Sequence, residues 1–241
     1  MLNRNTTLVI SLDTDWAPEW TVVRALEELV DAGLAGTVFA THDYPLLRDA
    51  AGKFDIEIGL HPRIRGDIED LQYQLGALRE LHGIYPNAVS VRTHGLAQST
   101  NLLRGFFQEG LVVDSSLNLF GLPQISLIQT PWGMVRAPVS WSDAAYLISG
   151  GTMTSKPWTA TKGLCVLNFH PIHLALNTTS WDQYCAFKEK FSDVRAVLPD
   201  QVAEFRLSSD KQGIHSIWMA TLIAVRSARF RVVTMRQLRS L

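Results

Sequence analysis

The sequence predicts an α/β protein whose parallel strands form a barrel, and three observations carry that prediction. Apolar, strand-like runs alternate with amphipathic helical stretches, the pattern of parallel strands joined by crossover helices. The length of 241 residues suits an α/β barrel, which is routinely about 250 residues in one domain, so 1–241 reads economically as a single catalytic domain. Seven of the apolar runs end in residues able to do chemistry. In a parallel barrel all strand C-termini open onto one face, and that face carries the active site.

The elements follow in order. Residues 7–12 read as a strand running into Asp13-Thr14-Asp15. Residues 18–32 read as a helix, with Pro18 in its first turn and Gly33 past its end. A strand at 36–40 runs into Thr41-His42-Asp43, and a short helix follows at 45–51. A strand at 55–60 runs into His61-Pro62. Residues 67–82 place Ile68, Leu71, Leu75, Leu78 and Leu81 on one helical face. A strand at 88–93 carries Arg92-Thr93-His94 at its end, and a helix spans 98–109. The strand at 111–114 runs into Asp114-Ser115-Ser116, and short strands at 126–129 and 134–137 follow, the second meeting Arg136. Residues 116–163 are otherwise irregular and rich in Gly, Pro, Ser and Trp, a composition that fits loops shaping a cleft. The most apolar strand, 164–169, ends at His170-Pro171-Ile172-His173. A helix at 181–197, another at 213–227, a strand at 229–233 and a terminal helix complete the chain.

Composition narrows the function classes. Hydrophobic residues make up 46% of the chain and charged residues 19%, as in a well-buried globular core. The net charge of −1 is scattered, without the basic stripe that would recruit nucleic acid. No stretch approaches the roughly 18 apolar residues of a membrane span, and the N-terminal apolar core is too short for a signal peptide. The expected location is therefore the cytoplasm. Two cysteines, Cys165 and Cys185, lack zinc-ligand spacing and are too few for a disulfide framework, so they read as buried thiols.

The chemistry-bearing residues suggest a metal-assisted hydrolase. In extended backbone Asp13 and Asp15 would face one way and repel unless a cation or proton lies between them. One carboxylate on a metal and the other acting as a base resolves that conflict. His61 is placed as a ligand, since imidazole is the commonest protein ligand for zinc-like metals. Arg92 keeps its charge and can clamp a carboxylate through two hydrogen bonds, so it would hold Asp13 ionised. His94, two residues on, is a candidate ligand or substrate contact. His170 is placed to protonate a leaving group. His42, His173, Trp16 and Arg136 are candidate substrate contacts. Trp132 and Trp141 also lie near strand ends, where a Trp is as readily core as sugar platform. His82 and His215, on helices, read as structural. Ser115 and Ser116 lack the Gly-x-Ser-x-Gly context of a serine nucleophile.

The ordered set LDTDWAP, TVFATHDYP, IGLHPRI, VRTHGLAQS, VVDSS and NFHPIH resembles the polysaccharide deacetylases of the NodB-homology type (carbohydrate esterase family four), and more closely their divergent WbmS-like subgroup, linked to O-antigen clusters. The resemblance spans roughly residues 7–175. It implies a distorted (β/α) barrel of about seven parallel strands. It implies a divalent metal, zinc-like with cobalt or nickel possible, that activates water against an N-acetyl or O-acetyl carbonyl of a sugar. It assigns Asp13 as base, Asp15 as metal ligand, Arg92 as the group orienting the base, and His170 as general acid. The chain departs from the pattern in one place. The family's usual His-Ser/Thr-x-x-His motif is broken, because Arg65 stands four residues after His61 and has no lone pair to ligate with. His94 is the expected substitute, with His42 as runner-up. The expected substrate is an acylated sugar or glycan precursor. Two rivals remain: a sugar-binding relative without metal, and a metal hydrolase acting on a non-sugar amide or ester.

Overall fold

The computed structural model describes residues 6–50, 54–65, 70–206, 212–228 and 230–241. Its strands are β1 (Thr7–Asp13), β2 (Gly36–Ala40), β3 (Ile56–Leu60), β4 (Ser90–Val91), β5 (Val113–Asp114), β6 (Gln124–Ile125), β7 (Ile128–Gln129), β8 (Val135–Arg136), β9 (Trp141–Ser142), β10 (Lys162–Phe169) and β11 (Arg231–Val232). Its helices are α1 (Glu19–Asp31), α2 (Pro45–Ala50), α3 (Leu71–Ile84), α4 (Thr100–Gln108), α5 (Asp143–Ile148), α6 (Pro171–Leu176), α7 (Trp181–Lys190), α8 (Pro199–Ala203) and α9 (Ile214–Ala228). The sheet runs β6-β10-β1-β2-β3-β4-β5-β8-β7, with β11 against β1 and β9 against β10. Every described pairing is parallel except β7 with β8. This is the curled, parallel-rich sheet of a distorted (β/α) barrel.

β1 is buried from Leu8 to Asp13, and β2 and β3 are buried throughout. Helices cover strands of this kind on the outside, and side chains fill the inside, so their sequences read as unbroken apolar runs. The register fixes the site face. Leu12 lies opposite Phe169 and Val91 opposite Asp114, so Asp13, Arg92, Asp114 and His170 leave their strands at similar heights.

The helix starts follow from local chemistry. Asp70 accepts from the Gln72 and Tyr73 amides at the start of α3, and Ser99 and Ser180 cap α4 and α7 in the same way. α6 begins with Pro171 at its first position and ends on Asn177 in the left-handed region.

Several boundaries differ from the sequence reading, because short elements carry too few residues to show a period. The strand expected at 126–129 shortens to β7 at its second half, and a separate strand, β6, lies just before the expected range. β9 and α5 occupy part of the segment read as irregular. The helix expected at 181–197 stops at Lys190, with a separate 3-10 turn at Val194–Ala196. α6 and α8 were not expected, and the terminal helix is a 3-10 turn at Arg236–Ser240. Ile68 and the first residues of the helix expected at 67–82 lie outside the described residues, as do residue 51 and residue 229. Cys165 is buried and Cys185 half-buried, both free. No helix among the described residues is long and apolar enough to cross a membrane.

One polar junction ties the helices together. Glu28 on α1 accepts from Trp218 Nε1 and His215 Nε2 on α9, each at 2.9 Å, and from Arg24 Nε at 3.2 Å. Burial pushes this carboxyl up, and His215 and Arg24 outweigh it, leaving Glu28 below its ordinary value of 4.5. A carboxylate depressed in the folded state contributes stability above its unfolded pKa and loses it as pH falls through the folded value. Glu28→Gln should therefore flatten the acid limb of stability below about pH 4.5, read as urea midpoints between about pH 7 and pH 3. An acid limb as steep as that of the wild type would contradict the assignment.

Candidate active site

Arg92 leaves the end of β4 and turns fully into the barrel, with no exposed surface. Its Nη1 donates to Asp13 Oδ1 at 2.7 Å, to Asn168 Oδ1 at 2.8 Å and to Ser11 Oγ at 2.9 Å. Its Nη2 donates to Ser115 Oγ at 2.9 Å and its Nε to the Ser115 carbonyl at 3.3 Å. The guanidinium also lies over the Phe39 ring, 4.4 Å from the centroid. Asp13 Oδ2 accepts from Asn168 Nδ2 at 2.8 Å, so both carboxylate oxygens are held. Burial drives the Asp13 carboxyl up, and the Arg92, His61 and His170 charges oppose it and bring it below its ordinary range.

Asp15 does not continue the strand. Asp15 and Trp16 have φ of +43° and +56°, and the Ala17 amide donates to the Thr14 carbonyl at 2.7 Å, closing a tight turn. The extended-backbone argument for two parallel carboxylates therefore does not hold. The turn, rather than strand alternation, aims Asp15 at the histidines.

Three side-chain atoms converge there. Asp15 Oδ1 lies 3.0 Å from His61 Nε2 and 3.0 Å from His94 Nδ1. Ligand atoms of Asp15, His61 and His94 all fall within 4.8 Å of one another. His61 is buried, and its Nδ1 lies 2.6 Å from the Arg92 carbonyl, which can only accept. That contact puts a proton on Nδ1 and points the Nε2 position at the Asp15 carboxylate. A lone pair facing a carboxylate at this distance is repulsive unless a proton or a metal cation lies between them. Burial pushes the Asp15 carboxyl up, and His170, His61 and His94 outweigh it and hold it well below its usual range. One carboxylate oxygen and two imidazole nitrogens, the His61 ring held from behind by a carbonyl, are the donor chemistry of a divalent metal site. The residues thus fit the metal that the resemblance implies.

His170 sits at the end of β10. Its Nδ1 lies 2.6 Å from Asp143 Oδ1, its amide donates to Asp143 Oδ2 at 2.7 Å, and its Nε2 lies 3.4 Å from Asp15 Oδ2. Burial drives the imidazole down, and Asp143 and Asp15 reverse this and raise it to about 10, so His170 is cationic at neutral pH. A cleft of about 320 Å³ opens above these groups, lined by Asp13, Asp15, His61, His94, Asn168 and His170 at its base and by Leu96, Phe120, Val139 and Ile148 on its walls.

The other expected contacts lie elsewhere. His42 hydrogen-bonds Thr41 and packs on Tyr44, 4.1 Å between ring centroids, away from the cleft. His173 is buried behind His170 against Tyr184, and burial pushes its pKa down to about 4. Arg136 pairs with Asp114 at 2.8 Å and also donates to Gln98, and it does not line the cleft. Trp16 lies against His94 rather than in the cleft. Trp141 is core, and Trp132 is half-buried under Arg104. Two residues central to the geometry were not singled out from the sequence, Asn168 and Asp143. Asn168 is the one strongly polar residue inside LCVLNF, two before His170, which was the available signal. Asp143 begins a helix too short to read from its pattern.

Fold and site geometry together suit a hydrolase, and the family match sets its class as one acting on amide or ester bonds of carbohydrates. The family model for WbmS-like polysaccharide deacetylases matches residues 10–188, and the chain belongs to this family. Among solved structures it is similar to WbmS of Bordetella bronchiseptica, described as a candidate polysaccharide deacetylase involved in O-antigen biosynthesis. The two share 27% identity over 92% of this chain and 91% of that one, with a TM-score of 0.78. A peptidoglycan N-acetylglucosamine deacetylase, solved with 4-naphthalen-1-yl-N-oxidanyl-benzamide, shares the fold at 12% identity. That likeness covers 98% of this chain and 92% of the other, with a TM-score of 0.53. No curated protein matches the sequence.

Arg92 generates the prediction here. Arg92→Met leaves Asp13 buried without its counter-charge, which should cost about 3–5 kcal/mol. Adding Asp13→Asn removes the stranded charge and should recover part of that loss, by urea unfolding. A neutral Arg92→Met would contradict the pairing.

Proposed function

We propose that the protein is a metal-dependent deacylase that removes an N- or O-acetyl group from a sugar during surface-polysaccharide synthesis. The observation that carries this reading is the convergence of Asp15, His61 and His94 between an ionised Asp13 and a cationic His170. Asp15, His61 and His94 would hold the ion, with zinc favoured by the mixed nitrogen and oxygen donors and cobalt or nickel as substitutes. Bound there, a divalent ion supplies Lewis acidity, polarising the acyl carbonyl and acidifying water. The remaining work belongs to the protein. Asp13, kept ionised and immobile by Arg92 and Asn168, accepts the proton of the attacking water. His170, fixed through Nδ1 by Asp143, presents its Nε2 proton to the leaving sugar nitrogen or oxygen. The apolar walls of the cleft limit competing water around the acyl group.

The likeness to the Bordetella protein supports an O-antigen-type glycan precursor as the substrate class. His94 takes the place of the second histidine of the family's usual metal motif, while Arg65, at the expected position, is exposed.

Acetate release from a panel of N- and O-acetylated amino sugars, with zinc-loaded protein, tests this directly. Asp13→Asn should keep its metal and lose turnover by about 10²–10⁴-fold, the usual contribution of a positioned base. Parallel loss of metal and activity in that variant would move Asp13 from base to ligand.

A further inference from the structure

Trp16 occupies a backbone position that favours residues without a bulky side chain. Asp15 and Trp16 are the two central residues of a turn with positive φ at both positions. Gly, Asn and Asp enter such turns readily, whereas a large aromatic residue is held there against a backbone cost. The Trp16 amide donates to Thr41 Oγ1 at 3.2 Å, so the neighbouring strand end anchors this conformation. Backbone strain kept at a site of this kind points to a role for the side chain that requires it.

The ring shows what that role is. It meets His94 edge-to-face, with centroids 4.9 Å apart and planes at 79°. The His94 ring also meets the His61 ring, at 5.6 Å and 89°. The two histidines are held differently. His61 is buried and tied to the Arg92 carbonyl through Nδ1. His94 is on a 3-10 turn with its side chain 35% exposed, and among the described residues its only side-chain hydrogen bond is to Asp15. A metal-ligating histidine normally has its second nitrogen held by a carbonyl or carboxylate. For His94 two aromatic walls stand in place of that bond.

We propose that Trp16 is a positioning residue, whose ring holds the His94 imidazole with Nδ1 aimed at Asp15 and so sets the affinity of the site for a divalent cation. This rests on the reading of Asp15, His61 and His94 as the metal site. It replaces the expectation that Trp16 is a platform for the sugar.

The test uses chelator-stripped wild type, Trp16→Gly, Trp16→Phe and His94→Ala, titrated with cobalt by calorimetry, beside the urea midpoint of each stripped protein. Trp16→Gly should weaken cobalt binding by about 2- to 10-fold, the range for one lost aromatic pair. Its urea midpoint should stay near wild type, because relief of the left-handed backbone offsets the lost ring packing. Trp16→Phe should restore most of the affinity. Unchanged cobalt binding in Trp16→Gly, while His94→Ala loses it, overturns the role of Trp16 alone. An affinity loss that Trp16→Phe does not rescue overturns it as well. Wild-type affinity in His94→Ala overturns the ligand set itself, and this inference with it.

Discussion

Arg92 is a cation with no exposed surface, and the site is organised around satisfying it. Its guanidinium donates to Asp13, Asn168, Ser11 and Ser115, drawing together side chains or carbonyls from β1 and β10 and from the residues just after β5. Its own carbonyl accepts from His61. One residue therefore fixes the ionised carboxylate through its side chain and the histidine tautomer through its backbone. The geometry beside Asp15 follows from the second of these contacts, because the committed Nδ1 of His61 leaves only Nε2 to face the carboxylate.

Asp143 does for His170 what Arg92 does for Asp13, with the charges reversed. A buried carboxylate keeps an imidazole cationic, and a buried guanidinium keeps a carboxylate anionic. The two are divided across one cleft floor, so an anion and a cation are held apart by fixed electrostatics, as the proposed base and acid require. Parallel strands make this division possible, since β1, β4 and β10 end at one level and bring residues some 150 positions apart into hydrogen-bond contact, as Asn168 and Asp13 show.

Much of this was legible in the sequence, for definite reasons. β1, β2, β3 and β10 are long and buried, so they read as apolar runs, and the polar residues after them mark the site face. Asp13, His61 and His170 end or follow such runs, Arg92 and His94 follow the apolar segment AVSV that holds the two-residue β4, and Asp15 is brought to them by the turn after β1. The two-residue β9 and six-residue α5 are shorter than any periodic signal, which hid Asp143. Asn168 was concealed inside a strand whose other residues are nearly all apolar. His42 and Arg136 also follow strand ends, but their side chains turn to Tyr44 and Asp114, and a strand end fixes height without fixing direction. The turn at Asp15 has no such pattern either, since positive φ at Asp15 and Trp16 is not announced by glycine.

The most direct measurement is an anomalous difference map at the zinc absorption edge from crystals grown with zinc. The account predicts a peak at about 2.0–2.2 Å from Asp15 Oδ1, His61 Nε2 and His94 Nδ1, the usual zinc bond lengths to these donors. A map without a peak there, or a peak held by other side chains, would contradict it.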